Sequence, residues 1–262
     1  MTTPTTDYFH ALIHLGVSEP LARAAADELA KKKPYLLAAT GKLLAGKDTI
    51  TPGVLARLGA TNVYHLSFAT ALKDELDQVF DAIRSSSSLD EAKDAIIALG
   101  VSPDKAMRML EIGYEKARAN LNLNSRSRTD WIRTALQVWG TDVRRETDKD
   151  YWVKRTVERA AEALAQGRNI MVTDVRFPNE VIACQAIGFT VVRLEISPEE
   201  QARRLWERDN LVPNPESQRA ESETALDVYD GFDLVIDNNG SIEEGIQKVL
   251  YYIRTRVLSP VV

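Results

Sequence analysis

Cysteine is all but missing from this 262-residue chain. Cys184 stands alone, so no internal disulfide can form, and a reducing compartment is the expected setting. A chain of this length buries enough apolar surface to need no covalent staple; it predicts one large domain with additions. Long hydrophobic runs are missing too. None could span a bilayer and none near the start resembles a secretion signal, so a cytoplasmic protein with no membrane partner is expected. Histidine is scarce: His10, His14 and His65 are the three, and a structural role is expected for each. Excess positive charge is also lacking. A formal net charge of −5 argues against a general nucleic-acid coat, so no direct nucleic-acid partner is expected, although a local basic pocket is compatible with it.

What the chain does have is a short apolar run from Tyr35 that leads straight into G-x-x-x-x-G-K, formed by Gly41, Gly46 and Lys47. Strand, glycine-bounded loop, then helix is the context a phosphate-binding loop requires. Glycine lets the backbone turn tightly and approach an anion, while successive N–H groups and the helix N-terminus face the phosphate oxygens. Lys47 adds a point charge for the terminal phosphates, and Ala45 and Gly46 complete the cradle. Asp48 occupies the place where a hydroxyl usually meets Mg²⁺; the hydroxyl follows at Thr49. That G-K-x-T order is similar to nucleoside monophosphate kinases rather than to GTPases or motor ATPases.

The rest of the chain supports an α/β reading: a doubly wound parallel sheet of about five strands. Strands are expected at Tyr35–Thr40, Asn62–Leu66, Asn169–Thr173, Thr190–Leu194 and Leu234–Ile236. Residues 1–33 read as an N-terminal helical extension, expected to pack on the core, with homodimer formation as the other use. Residues 34–262 form the kinase-like domain, in which 84–150 read as a helical insertion and 205–222 as a lid. Pro52-Gly53 is poor chemistry for a helix interior, so the helix after the loop should start late or bend there.

Candidate chemistry gathers at strand ends, where open α/β sheets hold ligands. Asp174, just past a buried strand, suits a Mg²⁺ site or, alternatively, a cap on the next helix. Arg176 could bind an acceptor phosphate or pair with Glu180. Arg203, Arg204 and Arg208 precede a polar, Pro-containing stretch and suit a closing lid, or are ordinary helix arginines. The segment 126–155 is dense in arginine and tryptophan. Its arginines, among them Arg128, Arg133 and Arg144, are either exposed on an amphipathic helix or in part turned toward a phosphate.

Together these residues resemble the deoxynucleoside monophosphate kinases of tailed bacteriophages. The matching pieces are GKLLAGKDT from Gly41, SFATALK from Ser67, LQVWGT from Leu136 with Arg144 and Arg145, Tyr151-Trp152, TDVRFPNE from Thr173, Arg203 to Asp209, Ser222-Glu223 and FDLVIDNNG from Phe232. The resemblance spans about residues 35–256. It implies ATP-dependent, Mg²⁺-assisted phosphorylation of dNMPs on an adenylate-kinase-like core, with ATP and dNMP as small-molecule partners. By that resemblance Lys47 and Thr49 contact ATP phosphates, and Asp174, with Asp48, serves the metal. Arg176, Arg204 and Arg208 assist transfer, and Asn238, Asn239 and Gly240 lie near the adenine. Lys73, Arg128, Arg133, Gln137 and Arg144 face the acceptor. Animal phosphomevalonate kinases look similar through the G-K-D loop and the stretch Ser222 to Asp227, which makes them the alternative; a non-catalytic nucleotide-binding module is the third reading.

Overall fold

The computed structural model describes residues 4–119, 130–211 and 221–257. The chain divides into two compact units, one of residues 1–67 and 156–262, the other of residues 68–155.

The first unit is built on five parallel strands: β1 (Leu36–Thr40), β2 (Val63–Leu66), β3 (Asn169–Val172), β4 (Thr190–Glu195) and β5 (Leu234–Asp237). Their order across the sheet is β2-β3-β1-β4-β5. The central strand β1 is buried at all five residues, as a strand covered on both faces must be. In register, Ala38 lies beside Val172 on one side and Val191 on the other. The chain crosses from β1 over β3 to β2 and later returns to the far side of β1. The strand order therefore reverses at β1, where a crevice opens at the carboxyl ends.

Two helices, α1 (Pro4–His14) and α2 (Glu19–Lys32), precede the sheet and belong to the same unit. A Cβ on Gly188 would come within 3.0 Å of the Tyr8 ring, so the extension lies directly on the loop before β4. Helix α3 (Lys47–Arg57) begins immediately at Lys47, with Pro52 inside it, so the late start suggested by Pro52-Gly53 does not occur. The reason for Gly53 is packing. A Cβ there would meet Ile246 Cδ1 at 2.6 Å, and Ile246 joins Ile50, Val54 and Leu55 in the apolar core beneath the sheet.

The second unit is helical. It takes in α4 (Phe68–Ser85), α5 (Leu89–Ile97), α6 (Pro103–Arg118) and α7 (Asp130–Gln137). Leu76, Val79, Phe80 and Ile83 recur at helical spacing on α4 and are fully buried against Ile96, Met109 and Trp139. Ser88 caps α5 by accepting from the Glu91 N–H at 3.2 Å. Helix α7 runs into a π-helical stretch, Val138–Arg145, whose wide turn carries Trp139 and Arg144 into the core. Trp152, in the first turn of α8 (Tyr151–Ala165), donates to the Gly140 carbonyl of that stretch at 2.9 Å.

Candidate active site

The loop between β1 and α3 turns on three residues of positive φ. Gly41 and Gly46 take φ of 145° and 95°, and Leu44 also has a positive φ, 65°. A side chain at Gly41 would sit 2.3 Å from the Leu194 carbonyl oxygen, so only glycine lets the loop leave β1 this close to β4. Lys47 is 7% exposed. Its ammonium donates to the carbonyls of Gly41 at 2.7 Å and Lys42 at 3.0 Å, folding back over the loop it follows. Burial, then the neighbouring Arg176 charge, lowers its pKa to about 8, against the pull of Asp48, Glu223 and Asp174. Asp48 and Thr49 are exposed at the start of α3.

The ends of β2 and β3 bring in the next groups. Asp174 accepts from Ser67 Oγ at 2.6 Å, and His65 meets Thr173 Oγ1 at 3.1 Å. Thr40, the last residue of β1, donates its hydroxyl to the Val175 carbonyl at 2.8 Å and so fixes the chain beside Asp174. Capping of α9 (Pro178–Ala186) falls to the buried Glu180, whose carboxylate accepts from the N–H groups of Arg176 and Phe177. The Arg176 guanidinium does not pair with Glu180; it meets Glu223 at 2.7 Å. Thr40, Gly41, Lys42, Arg176, Arg193 and Glu223 line a pocket beside the loop. Lys42 donates to Asp227 at 2.7 Å and to the Glu223 carbonyl at 2.5 Å, and Arg193 reaches Asp227 at 3.5 Å. Three cations thus surround two carboxylates carried by the segment from α11 (Glu221–Thr224) to Asp227.

Helix α10 (Pro198–Asp209) supplies the arginines expected of a lid. Arg204 is engaged by backbone: it donates to the carbonyls of Leu44 at 3.2 Å, Asn238 at 2.7 Å and Gly240 at 3.2 Å, and its Nε meets Glu200. Hydrogen bonds from Arg203, and then from Arg204, hold the Glu200 carboxylate near pKa 2. Arg208 is exposed in the last turn and pairs with Asp209. The turn after β5 places Asn238 under the loop: it is 2% exposed and its Nδ2 donates to the Ala45 carbonyl at 2.8 Å. Asn239 closes the turn on Asp237 and accepts from the Ser197 N–H. Gly240 precedes α12 (Ile242–Tyr252), which is capped by Ser241 and Glu244. Of the expected lid, residues 212–220 lie outside the described residues.

The acceptor-side candidates belong to the helical unit. Lys73 is half-buried on α4, and Gln137 is exposed where α7 becomes π-helical. Arg128 lies outside the described residues; Arg133 is on α7, its side chain undescribed. Arg144 is not an exposed helix arginine. It is 7% exposed, paired with Glu75, bonded to the carbonyls of Leu99 and Gly100, and stacked 4.8 Å from Trp139 and 4.7 Å from Tyr151. Tyr151 completes the group by donating to Glu75 at 2.7 Å.

Lys42, Arg193, Gln201, Ser67 and Glu223 were not among the site residues expected from the sequence. Lys42 carried a signal, a second basic residue inside the glycine-bounded loop. Ser67 and Glu223 carried one as parts of the SFATALK and Ser222-Glu223 pieces; the partners of Arg193 and Gln201 come from distant parts of the chain.

Two comparisons bear on the chain, and the family match begins after the loop of Gly41 to Lys47. The family model described as deoxynucleotide monophosphate kinase matches residues 92–249, more than half of the chain. Among curated proteins, the chain is similar to an uncharacterized protein, ORF77, of Ictalurid herpesvirus 1 (strain Auburn), with 33% identity over 98 residues. That match spans 37% of this chain and 37% of the viral protein, well under half the length of either.

Proposed function

Since the chain belongs to the deoxynucleotide monophosphate kinase family, we propose that it transfers the terminal phosphoryl group of ATP to a deoxynucleoside monophosphate, giving the dNDP and ADP. The observation that carries this reading is the loop from Gly41 to Lys47 at the strand-order reversal, with a buried lysine folded over it. An oxygen of the acceptor phosphate attacks the γ-phosphorus in line, and the bridging oxygen leaves with ADP. No general base is required, because the attacking phosphate is already anionic near neutral pH.

The protein's task is to position and to neutralise. The loop amides and the α3 N-terminus would hold the β- and γ-phosphates. Lys47 would leave the carbonyls of Gly41 and Lys42 for a phosphate oxygen, a better partner for an ammonium. Arg176 would exchange Glu223 for a phosphate, staying paired with an anion throughout. Magnesium fits the donor set, since it keeps most of its waters and takes one or two carboxylates besides substrate phosphates. Asp174, oriented by Ser67, would hold it, with Asp48 as the second carboxylate. When bound, the ion would draw charge off the transferring oxygens. Lys73 and Gln137 remain the acceptor candidates of the helical unit, and Arg208, exposed at the end of α10, is the lid arginine able to reorient.

The test is a coupled assay of Mg·ATP against dAMP, dGMP, dCMP, dTMP, their ribose forms and phosphomevalonate. Turnover of one or more dNMPs is the expected result. Turnover of phosphomevalonate alone would replace this reading, and ATP binding without turnover of any acceptor would favour a non-catalytic module.

A further inference from the structure

Six consecutive carbonyls of the phosphate loop are already taken. Lys47 holds those of Gly41 and Lys42, at 2.7 and 3.0 Å. Gln201 Nε2 donates to Leu43 at 2.8 Å, Arg204 Nη1 to Leu44 at 3.2 Å and Asn238 Nδ2 to Ala45 at 2.8 Å. Gly46 accepts from the N–H groups of Thr49 and Ile50, at 3.1 and 2.9 Å. By contrast, among the described residues nothing accepts from the N–H groups of Leu43, Leu44, Gly46 or Lys47.

This asymmetry has a physical consequence. A peptide plane that flips in such a loop brings its carbonyl oxygen to where an anion must sit and takes its N–H away. Side chains from outside the loop that hold the Leu43, Leu44 and Ala45 carbonyls oppose that flip before any ligand arrives, so little reorganisation of these three residues is left for binding. Three of the pins come from outside the loop. Gln201 and Arg204 lie on α10, and Arg204 also grips the carbonyls of Asn238 and Gly240, tying the turn after β5 to the same loop. Asn238 is buried against Gly46, where any side chain would come within 2.8 Å of its amide.

We propose that Gln201, Arg204 and Asn238 are positioning residues that preset the loop's N–H groups for a polyphosphate, acting through Leu43, Leu44 and Ala45 rather than by touching the nucleotide. The inference rests on the reading of residues 41–47 as a phosphate loop. It gives Arg204 a role distinct from that of a transfer-assisting lid arginine.

Gln201→Met and Arg204→Met keep the side-chain bulk and remove the donors. Binding of inorganic tripolyphosphate to the full chain would be measured by titration calorimetry, and amide exchange of residues 37–47 by NMR. Each variant should bind tripolyphosphate about tenfold more weakly, the effect of one lost hydrogen bond. The amides of Leu37 and Ala38 in β1, which report the fold, should exchange at the wild-type rate, while the resonances of Leu44 and Ala45, whose N–H groups share peptide planes with the freed Leu43 and Leu44 carbonyls, should shift. Affinity within about twofold of wild type in Gln201→Met would overturn the proposal, as would a loss confined to Arg204→Met, which would mean direct contact with the ligand. Failure of the unmodified protein to bind tripolyphosphate would remove the phosphate-loop reading itself, an outcome distinct from both.

Discussion

Lys47 carries its charge in a place that disfavours it, and that can be measured without any substrate. With burial and Arg176 lowering its pKa to about 8 from an ordinary 10.5, the free protein holds the cation at a cost of about 3 kcal/mol. The sign follows from proton linkage. Below pH 8 both folded and unfolded chains carry the proton, and the cost is fully present. Between about pH 8 and 10.5 the folded protein has released the proton and the unfolded chain has not, so the folded state gains stability as pH rises. Lys47→Met removes this titration and leaves every other group in place. Urea unfolding of both proteins from pH 7 to 10.5 should therefore show wild type gaining about 3 kcal/mol relative to Lys47→Met across the range. The comparison of slopes cancels the hydrogen bonds to Gly41 and Lys42 that the variant also loses, because these shift its curve without tilting it. Parallel curves would refute the reasoning. Saturating ATP should flatten the difference, since bound phosphates would keep Lys47 protonated to higher pH.

Three further outcomes follow. Gly53→Ala should lower the melting temperature by the equivalent of about 1–3 kcal/mol, because its Cβ would meet Ile246 Cδ1 at 2.6 Å; in an Ile246→Val background, which removes that atom, the same change should be neutral or stabilising, and an equal effect in both backgrounds would contradict the packing argument. Arg144→Met should cost about 3 kcal/mol in chemical denaturation, because it leaves the Glu75 carboxylate buried with Tyr151 but without its cation; unchanged stability would mean that Arg144 is available to a ligand after all. Arg176→Ala should raise the acceptor KM or lower kcat while ATP affinity survives, and unaltered acceptor kinetics would confine Arg176 to its pair with Glu223.

The parts of this molecule legible in the sequence are those governed by local chemistry. Apolar runs at Leu36, Ile170 and Val191 mark strands, because a strand buried on both faces shows no polar alternation. The turn after β1 is readable because its glycines, Gly41 and Gly46, both take positive φ. Asp174 and Arg176 stand out by following a strand end. What the sequence hides is which charge meets which. Arg144 reads as a surface or ligand arginine, yet the π-helical turn at Val138–Arg145 brings it between two aromatic rings and onto Glu75, 69 residues away. Arg204 reads as a lid residue because its spacing on α10 cannot reveal that three backbone carbonyls, from two distant segments, converge on it. Asn238 reads as part of a turn near the nucleotide, whereas its amide is buried beneath the loop. Pro52-Gly53 reads as a late helix start or a bend; only the position of Ile246 on α12 supplies the reason for a glycine there.

The most direct test of the central claim is transfer itself. Purified protein would be mixed with Mg²⁺, ATP labelled at the γ-phosphorus and each dNMP in turn, with Lys47→Ala alongside. The account predicts label in the dNDP with at least one dNMP, and almost none with Lys47→Ala although that variant remains folded. Label that stays on ATP or appears only as free phosphate, or transfer that persists in Lys47→Ala, would contradict it.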